Sequence, residues 1–204
     1  MLPRTNQEVM ADPAEIRETL GGIRRLVERS ETVIRNLLDF SRDKAPNIST
    51  FPLRSVIDQI LLLVGKTAQK KKVEISVYGD KNAQVTSDTG AMQHILFNLV
   101  LNAIDAIESG GAIAIRYSAD SSGFTILVED NGSGISREHM EKIFNPFFTT
   151  KAPDRGTGLG LYLVYNEVRR LGGTISVESA PGGPTKFTVQ FSAVRKGENE
   201  NGER

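Results

Sequence analysis

The sequence predicts an α/β domain preceded by a long helix, and three observations carry that expectation. Beyond residue 50, short strand-like runs alternate with helical patterns. Ala45-Pro46-Asn47 separates this region from an N-terminal segment whose apolar residues recur at helical spacing. A glycine-punctuated stretch, 130–160, follows directly on an apolar strand pattern. The division that results is a helix in residues 1–45, an α/β domain in 46–194 and a polar, disordered tail in 195–204.

The N-terminal helix opens at Asp12-Pro13-Ala14-Glu15, an Asp cap with Pro in the first turn and Glu three residues after the cap. Ile16, Leu20, Ile23, Val27, Ile34 and Leu37 then alternate by four and three, with Ser30 in the one gap. Leu26, Val33 and Phe40 add a second stripe, so a helix of about 30 residues has two faces to bury. Dimerisation into a bundle is the simplest solution; folding back on its own domain is the alternative.

In the α/β region a helix is expected over 53–70, a strand over 73–78 and a short strand over 85–87. An apolar helix over 89–108 comes next, then strands at 112–117 and 124–129 joined by an Asp-Ser-Ser-Gly turn. After the glycine-rich stretch a helix runs from 160 to about 171. Two closing strands, 174–179 and 186–191, are joined by Ala180-Pro181-Gly182-Gly183-Pro184.

Composition excludes several classes of function. The 204 residues are 39% hydrophobic and 25% charged, with 25 basic against 25 acidic side chains and a net charge of zero. No basic excess exists to hold a nucleic-acid backbone. Without cysteine there is no disulfide, zinc-thiolate site or thiol nucleophile, and two histidines, His94 and His139, do not make a multi-histidine metal centre. The richest apolar run, 60–64, is five residues long, where a membrane span takes about 20. The first seven residues lack the apolar stretch of a signal peptide. A cytoplasmic chain without membrane contact is expected, any anchor belonging to a longer parent.

Three motifs carry chemistry. His94, Asn98 and Asn102 stand four residues apart on one face of an otherwise apolar helix. Two amides there either bond to neighbouring backbone or face a polar ligand, and an amide oxygen suits one position around Mg²⁺. Asp130-Asn131-Gly132-Ser133-Gly134-Ile135 is either an ordinary strand-ending turn or a carboxylate placed to accept from an exocyclic amine, with glycines admitting a flat base. Gly156-Thr157-Gly158-Leu159-Gly160-Leu161 opens a helix, where free backbone N–H groups suit phosphate. Between the last two lies Ile143-Phe144-Asn145-Pro146-Phe147-Phe148-Thr149-Thr150-Lys151. Its phenylalanines are either plain core or the anchor of a lid over 136–155, with Thr150 and Lys151 reaching a terminal phosphate.

In this order the motifs resemble the N, G1, F and G2 boxes of the catalytic ATP-binding domain of sensor histidine kinases. The resemblance runs from about residue 23 to 191, and the segment 33–42 resembles the second helix of that family's dimerisation hairpin. It implies a two-layer sandwich, a mixed sheet with helices on one face, shared with DNA gyrase, MutL and the heat-shock chaperone ATPases. ATP would lie between the helices and a lid.

Carried over residue by residue, the resemblance makes Asn102 the Mg²⁺ ligand and Asn98 its companion near the phosphates. Asp130 would read adenine, helped by Gly132 and Gly134, with Thr185 beside the base. Gly156, Gly158 and Gly160 would line the phosphates. Asp105, Ile135, Phe144, Thr150, Thr157, Leu159 and Leu161 complete the implied nucleotide contacts, and Asn98 and Lys151 are the implied catalytic residues.

Relatives that hydrolyse ATP or phosphorylate serine place a glutamate four residues before the metal-binding asparagine. That position here is Asn98, which is no base at neutral pH. A neutral imidazole offers its lone pair without a base, so histidine phosphorylation is favoured over a serine kinase or an ATPase. No histidine precedes His94, whereas a complete kinase offers one on its first hairpin helix. The implied partners are therefore a histidine-bearing helix in cis or trans, a response regulator, and a second copy through the N-terminal helix. The rival reading is a regulatory module that binds nucleotide, dimerises and transfers nothing.

Overall fold

A computed structural model of the protein describes residues 12, 16, 17, 19–24, 27, 46–151 and 156–193. They fall into two compact units, one drawn from 1–43 and 150–157, the other from 44–149 and 158–204. In the first unit residues 16, 17, 19–24 and 27 are helical, and the Ile16 N–H donates to the Asp12 carbonyl (3.0 Å). Ile16, Leu20, Ile23 and Val27, the first four members of the expected stripe, are all exposed. The rest of the helix expected in 1–45, with its second stripe, and the tail over 195–204 lie outside the described residues.

The second unit begins with a strand that the sequence pattern does not announce, β1 (Ile48–Pro52). It pairs antiparallel with β3 (Gln84–Asp88) in a separate two-stranded ribbon. Helix α1 (Leu53–Lys71) follows Pro52, whose fixed φ of −67° suits the residue before a first turn. Its buried residues, Leu53, Val56, Ile57, Ile60, Val64 and Ala68, recur at three and four. It ends at Lys72 in the left-handed conformation (φ 56°), whose N–H closes on the Ala68 and Gln69 carbonyls.

Helix α2 (Thr89–Ala106) is capped by Asp88, whose carboxylate accepts the Ala91 N–H at 3.0 Å. It stops two residues short of the expected end, because Ile107 is already extended. Eight of its side chains, from Ala91 to Ile104, are buried, which makes it the central helix of the core. A short helix α3 (Arg137–Met140) and helix α4 (Gly160–Arg170) complete the helical layer.

The main sheet is five-stranded, in the order β2 (Val73–Tyr78), β4 (Gly111–Asp120), β5 (Gly123–Asp130), β7 (Thr185–Ser192), β6 (Thr174–Ser179). Only β2 and β4 are parallel, so the sheet is mixed. Strict alternation along β4, β5 and β7 buries Ile113, Ile115, Tyr117, Phe124, Ile126, Val128, Phe187, Val189 and Phe191 on the helical face. The outer face carries Arg116, Glu129 and Lys186, paired at 2.7 and 3.7 Å. At this exposure such pairs contribute about 1 kcal/mol at most. The fold is thus the two-layer α/β sandwich expected. No helix among the described residues is long and apolar enough to cross a membrane.

Candidate functional site

The inward face of the sheet changes character at one end. Along β5 the buried file Phe124, Ile126, Val128 continues to Asp130; along β7, Phe191, Val189, Phe187 continues to Thr185; along β6, Ile175 and Val177 continue to Ser179. Asp130 is paired in register with Thr185 and Thr185 with Ser179, so the three polar residues form one row across adjacent strands. Asp130 and Thr185 are only 3% exposed. Polar groups at core positions destabilise a sheet unless they bond to something.

Their bonds are few and specific. Asp130 Oδ1 accepts the Gly132 N–H at 2.9 Å. Its second oxygen, Oδ2, meets no donor among the described residues and keeps access to solvent. Burial pushes the Asp130 carboxyl above the ordinary carboxylate range, against the pull of the Gly132 N–H. Ser179 Oγ accepts the Ile135 N–H at 2.9 Å and lies 2.8 Å from Thr185 Oγ1. Ser179 had no place among the expected site residues. The signal was available in Ile175, Val177, Ser179, a period-two file that ends on a hydroxyl.

The loop after Asp130 is laced to its neighbours on both sides. Asn131 Oδ1 accepts the Ala112 N–H (2.9 Å), and the Ser133 N–H donates to the Ala106 carbonyl at the end of α2 (3.0 Å). A Cβ at Gly132 would lie 2.6 Å from that same carbonyl. Gly134 adopts φ +71° against the Ala180 carbonyl, where any side chain would collide. Gly132 is required by close approach and Gly134 by its backbone conformation.

On α2 the Asn98 amide donates to the His94 carbonyl at 2.9 Å. The Asn98 amide therefore does bond to neighbouring backbone, through its donor side. Its oxygen faces the start of α4, where a Cβ on Gly160 would come within 2.9 Å of Asn98 Oδ1 and 3.9 Å of Asn102 Nδ2. The N-cap residue of α4, Leu159, makes no side-chain cap bond, and the helix begins beside the two asparagines with its positive dipole end. Gly158 sits at φ +69° against the Phe147 backbone, Leu159 is buried and Leu161 half-buried. His94 is exposed.

Lys71 is a second residue that sequence reasoning missed. It stands in a run of three lysines that reads as a solvated helix end. Half-buried, its ammonium donates to the Ile104 (3.0 Å), Asp105 (3.3 Å) and Ile107 (2.9 Å) carbonyls, closing the C-terminal end of α2 one turn beyond Asn102. Asp105 itself is half-buried.

The phenylalanine segment divides. Phe144 tilts against Tyr165 at 5.5 Å and Phe148 against His139 at 5.5 Å, both half-buried. Phe147 is 63% exposed with φ 65°. His139 is therefore not the plain surface residue its polar neighbours suggest, since it covers Phe148. Thr150, Lys151, Gly156 and Thr157 belong to the first unit, where Thr150 is exposed and the other three are half-buried; 152–155 lie outside the described residues.

Residues 87–195, more than half of the chain, match the family described as histidine kinase-, DNA gyrase B-, and HSP90-like ATPase. The sensor histidine kinase ZraS of Escherichia coli O157:H7 is 36% identical over 163 residues, 79% of this chain and 35% of its own length. The histidine-protein kinase AtoS of E. coli K12 is 34% identical over 88% of this chain and 29% of its own. The chain thus spans about a third of the length of the curated relatives it matches. Among solved structures, the catalytic domain of histidine kinase ThkA aligns with a TM-score of 0.65 at 29% identity, over 72% of this chain and 95% of that one. ThkA in complex with its response regulator TrrA aligns with a TM-score of 0.71 at 26% identity, over 91% and 53%.

Proposed function

The chain belongs to the histidine kinase-, DNA gyrase B- and HSP90-like ATPase family, and on that premise we propose that it binds Mg·ATP and transfers the γ-phosphoryl group to a histidine on another helix. The observation that carries the proposal is a buried carboxylate with an open acceptor, Asp130, followed by a loop bonded to the end of α2, the helix whose Asn98 and Asn102 lie at the glycine start of α4. Asp130 accepts from the exocyclic amine of the base, and Gly132 and Gly134 keep the loop thin enough for it to lie close. The α4 N–H groups face phosphate. The donor set also fits Mg²⁺: Asn102 offers one hard oxygen, and phosphate and water supply the rest. Asn102 would hold Mg²⁺, which when bound would supply charge neutralisation at the phosphates, and Lys151 is proposed to add its own positive charge.

Asn98 removes no proton. With its N–H side committed to the His94 carbonyl, it orients its oxygen toward the phosphate loop. The acceptor imidazole attacks with its own lone pair, so no base is needed and water is poorly activated. The acceptor helix, a response regulator downstream and dimerisation through the exposed stripe Ile16, Leu20, Ile23, Val27 belong to the same proposal.

The test is equilibrium binding of Mg·ATP to the chain, followed by transfer from γ-labelled ATP to a supplied kinase histidine helix. Acid-labile label on that helix is expected. Asn102→Ala should lose the Mg²⁺-dependent part of the affinity, about tenfold or more. Absence of ATP binding overturns the proposal. Binding with no transfer to a competent acceptor leaves a nucleotide-binding module.

A further inference from the structure

We infer that Ser179 is a positioning residue for base recognition: it takes up one side of the Thr185 hydroxyl, so that Thr185 presents its proton, not a lone pair, beside the acceptor of Asp130. This rests on the nucleotide reading above and adds to it the chemical edge of the base that the site selects.

A serine hydroxyl donates one proton and accepts through two lone pairs. One lone pair of Ser179 Oγ is occupied by the Ile135 N–H at 2.9 Å. That bond polarises the Ser179 O–H and strengthens it as a donor. The partner 2.8 Å away is Thr185 Oγ1. With Ser179 donating, Thr185 is an acceptor on that side and its own proton turns toward the ligand side of the row. The neighbour on that side, directly opposite in register, is Asp130.

The row then offers an acceptor next to a donor. An aminopurine presents the complement, an amine beside a ring nitrogen with a free lone pair. A 6-oxopurine presents the reverse on the same edge, a carbonyl beside an N–H, and meets a carboxylate and a hydroxyl proton that both oppose it. A hydroxyl free to rotate would accept from that N–H as readily as it donates. Ser179 opposes this flip without touching the base: Thr185 could accept from the base only by donating to the second lone pair of Ser179, which takes from the Ser179 proton its acceptor in Thr185.

The experiment compares ATP with ITP, which replaces the amine by a carbonyl and the ring lone pair by N–H. Ser179→Ala should weaken ATP about threefold to tenfold while ITP affinity stays level or improves, so the ATP-to-ITP ratio falls. Ser179→Thr, which keeps a hydroxyl at that position, should recover most of the ratio. Thr185→Val, which leaves Ser179 in place, carries the same expectation independently, and the double variant should lose no more than Thr185→Val alone. A purely structural role for Ser179 would weaken both nucleotides alike. That outcome overturns the inference, as does an unchanged ratio in Thr185→Val. If the parent chain binds neither nucleotide, the underlying reading of the site falls as well.

Discussion

At one end of the five-stranded sheet the inward files finish on Asp130, Thr185 and Ser179; at the other, β5 and β7 bring Phe124 and Phe191 together, stacked 4.8 Å apart. Both ends use a positive-φ glycine whose Cβ would strike a carbonyl, Gly134 against Ala180 and Gly123 against Phe191. The phenylalanine end even has an open cavity of about 440 Å³, with Ser118, Asp120 and Gln190 in its wall. Yet none of the buried polar residues described, Ser87, Asp130 and Thr185, lines that cavity. A tight glycine or an open cavity therefore does not mark the candidate site by itself. What separates the two ends is polarity at positions the alternation reserves for the core.

The sharpest break of this comparison is Phe124→Ala. It should cost about 3 to 4 kcal/mol of stability by emptying half of the aromatic stack, with nucleotide affinity per folded molecule unchanged. Denaturant unfolding and binding on the same sample check both parts. The glycine pair comes next. Gly123→Ala and Gly134→Ala should each lose about 1 to 3 kcal/mol of stability, and only Gly134→Ala should also weaken ATP. Equal effects on affinity would erase the distinction between the ends.

The smallest expected change in the fold, and the most specific, is Asp130→Asn. Burial raises the Asp130 carboxyl, so the folded state holds its proton to higher pH than the unfolded state. The contribution to stability is full below the ordinary carboxylate range and is lost as pH rises through the raised value. Thermal unfolding followed across that window should show the loss in the parent chain and not in Asp130→Asn. At neutral pH the variant should be slightly more stable without ligand, yet bind ATP about tenfold more weakly, since the bond lost is one to a charged acceptor. Affinity of the parent for ATP should fall as pH drops through the same window, because the amine needs the ionised form.

Much of this was legible in the sequence because it is periodic. Asn98 and Asn102 stand out at i, i+4 in an apolar helix, and Asp130 closes an alternating strand. The strand β1 was not legible: Ile-Ser-Thr-Phe-Pro buries only Phe51 and shows no alternation, and its partner β3 lies more than thirty residues on. Ser179 hid because a serine before Ala-Pro-Gly-Gly-Pro reads as turn chemistry. Lys71 hid in a lysine run, since spacing alone does not tell which of three ammonium groups folds inward onto carbonyls. Both are set by contacts between elements distant in the chain.

The Ile135 to Ser179 bond spans 44 residues, and that distance bears on how the protein folds. The Thr185–Ser179 half of the polar row needs only the β6–β7 hairpin, but the whole row does not exist until β5 and β7 have paired, a late and entropically expensive closure compared with forming α1 or α2. A nucleotide that needs the whole row recognises only the finished sheet. Its stabilisation, RT ln(1 + [L]/Kd), should then appear in global unfolding and in the slowest-exchanging amides of β5 and β7, rather than in local fraying of the loop that touches it.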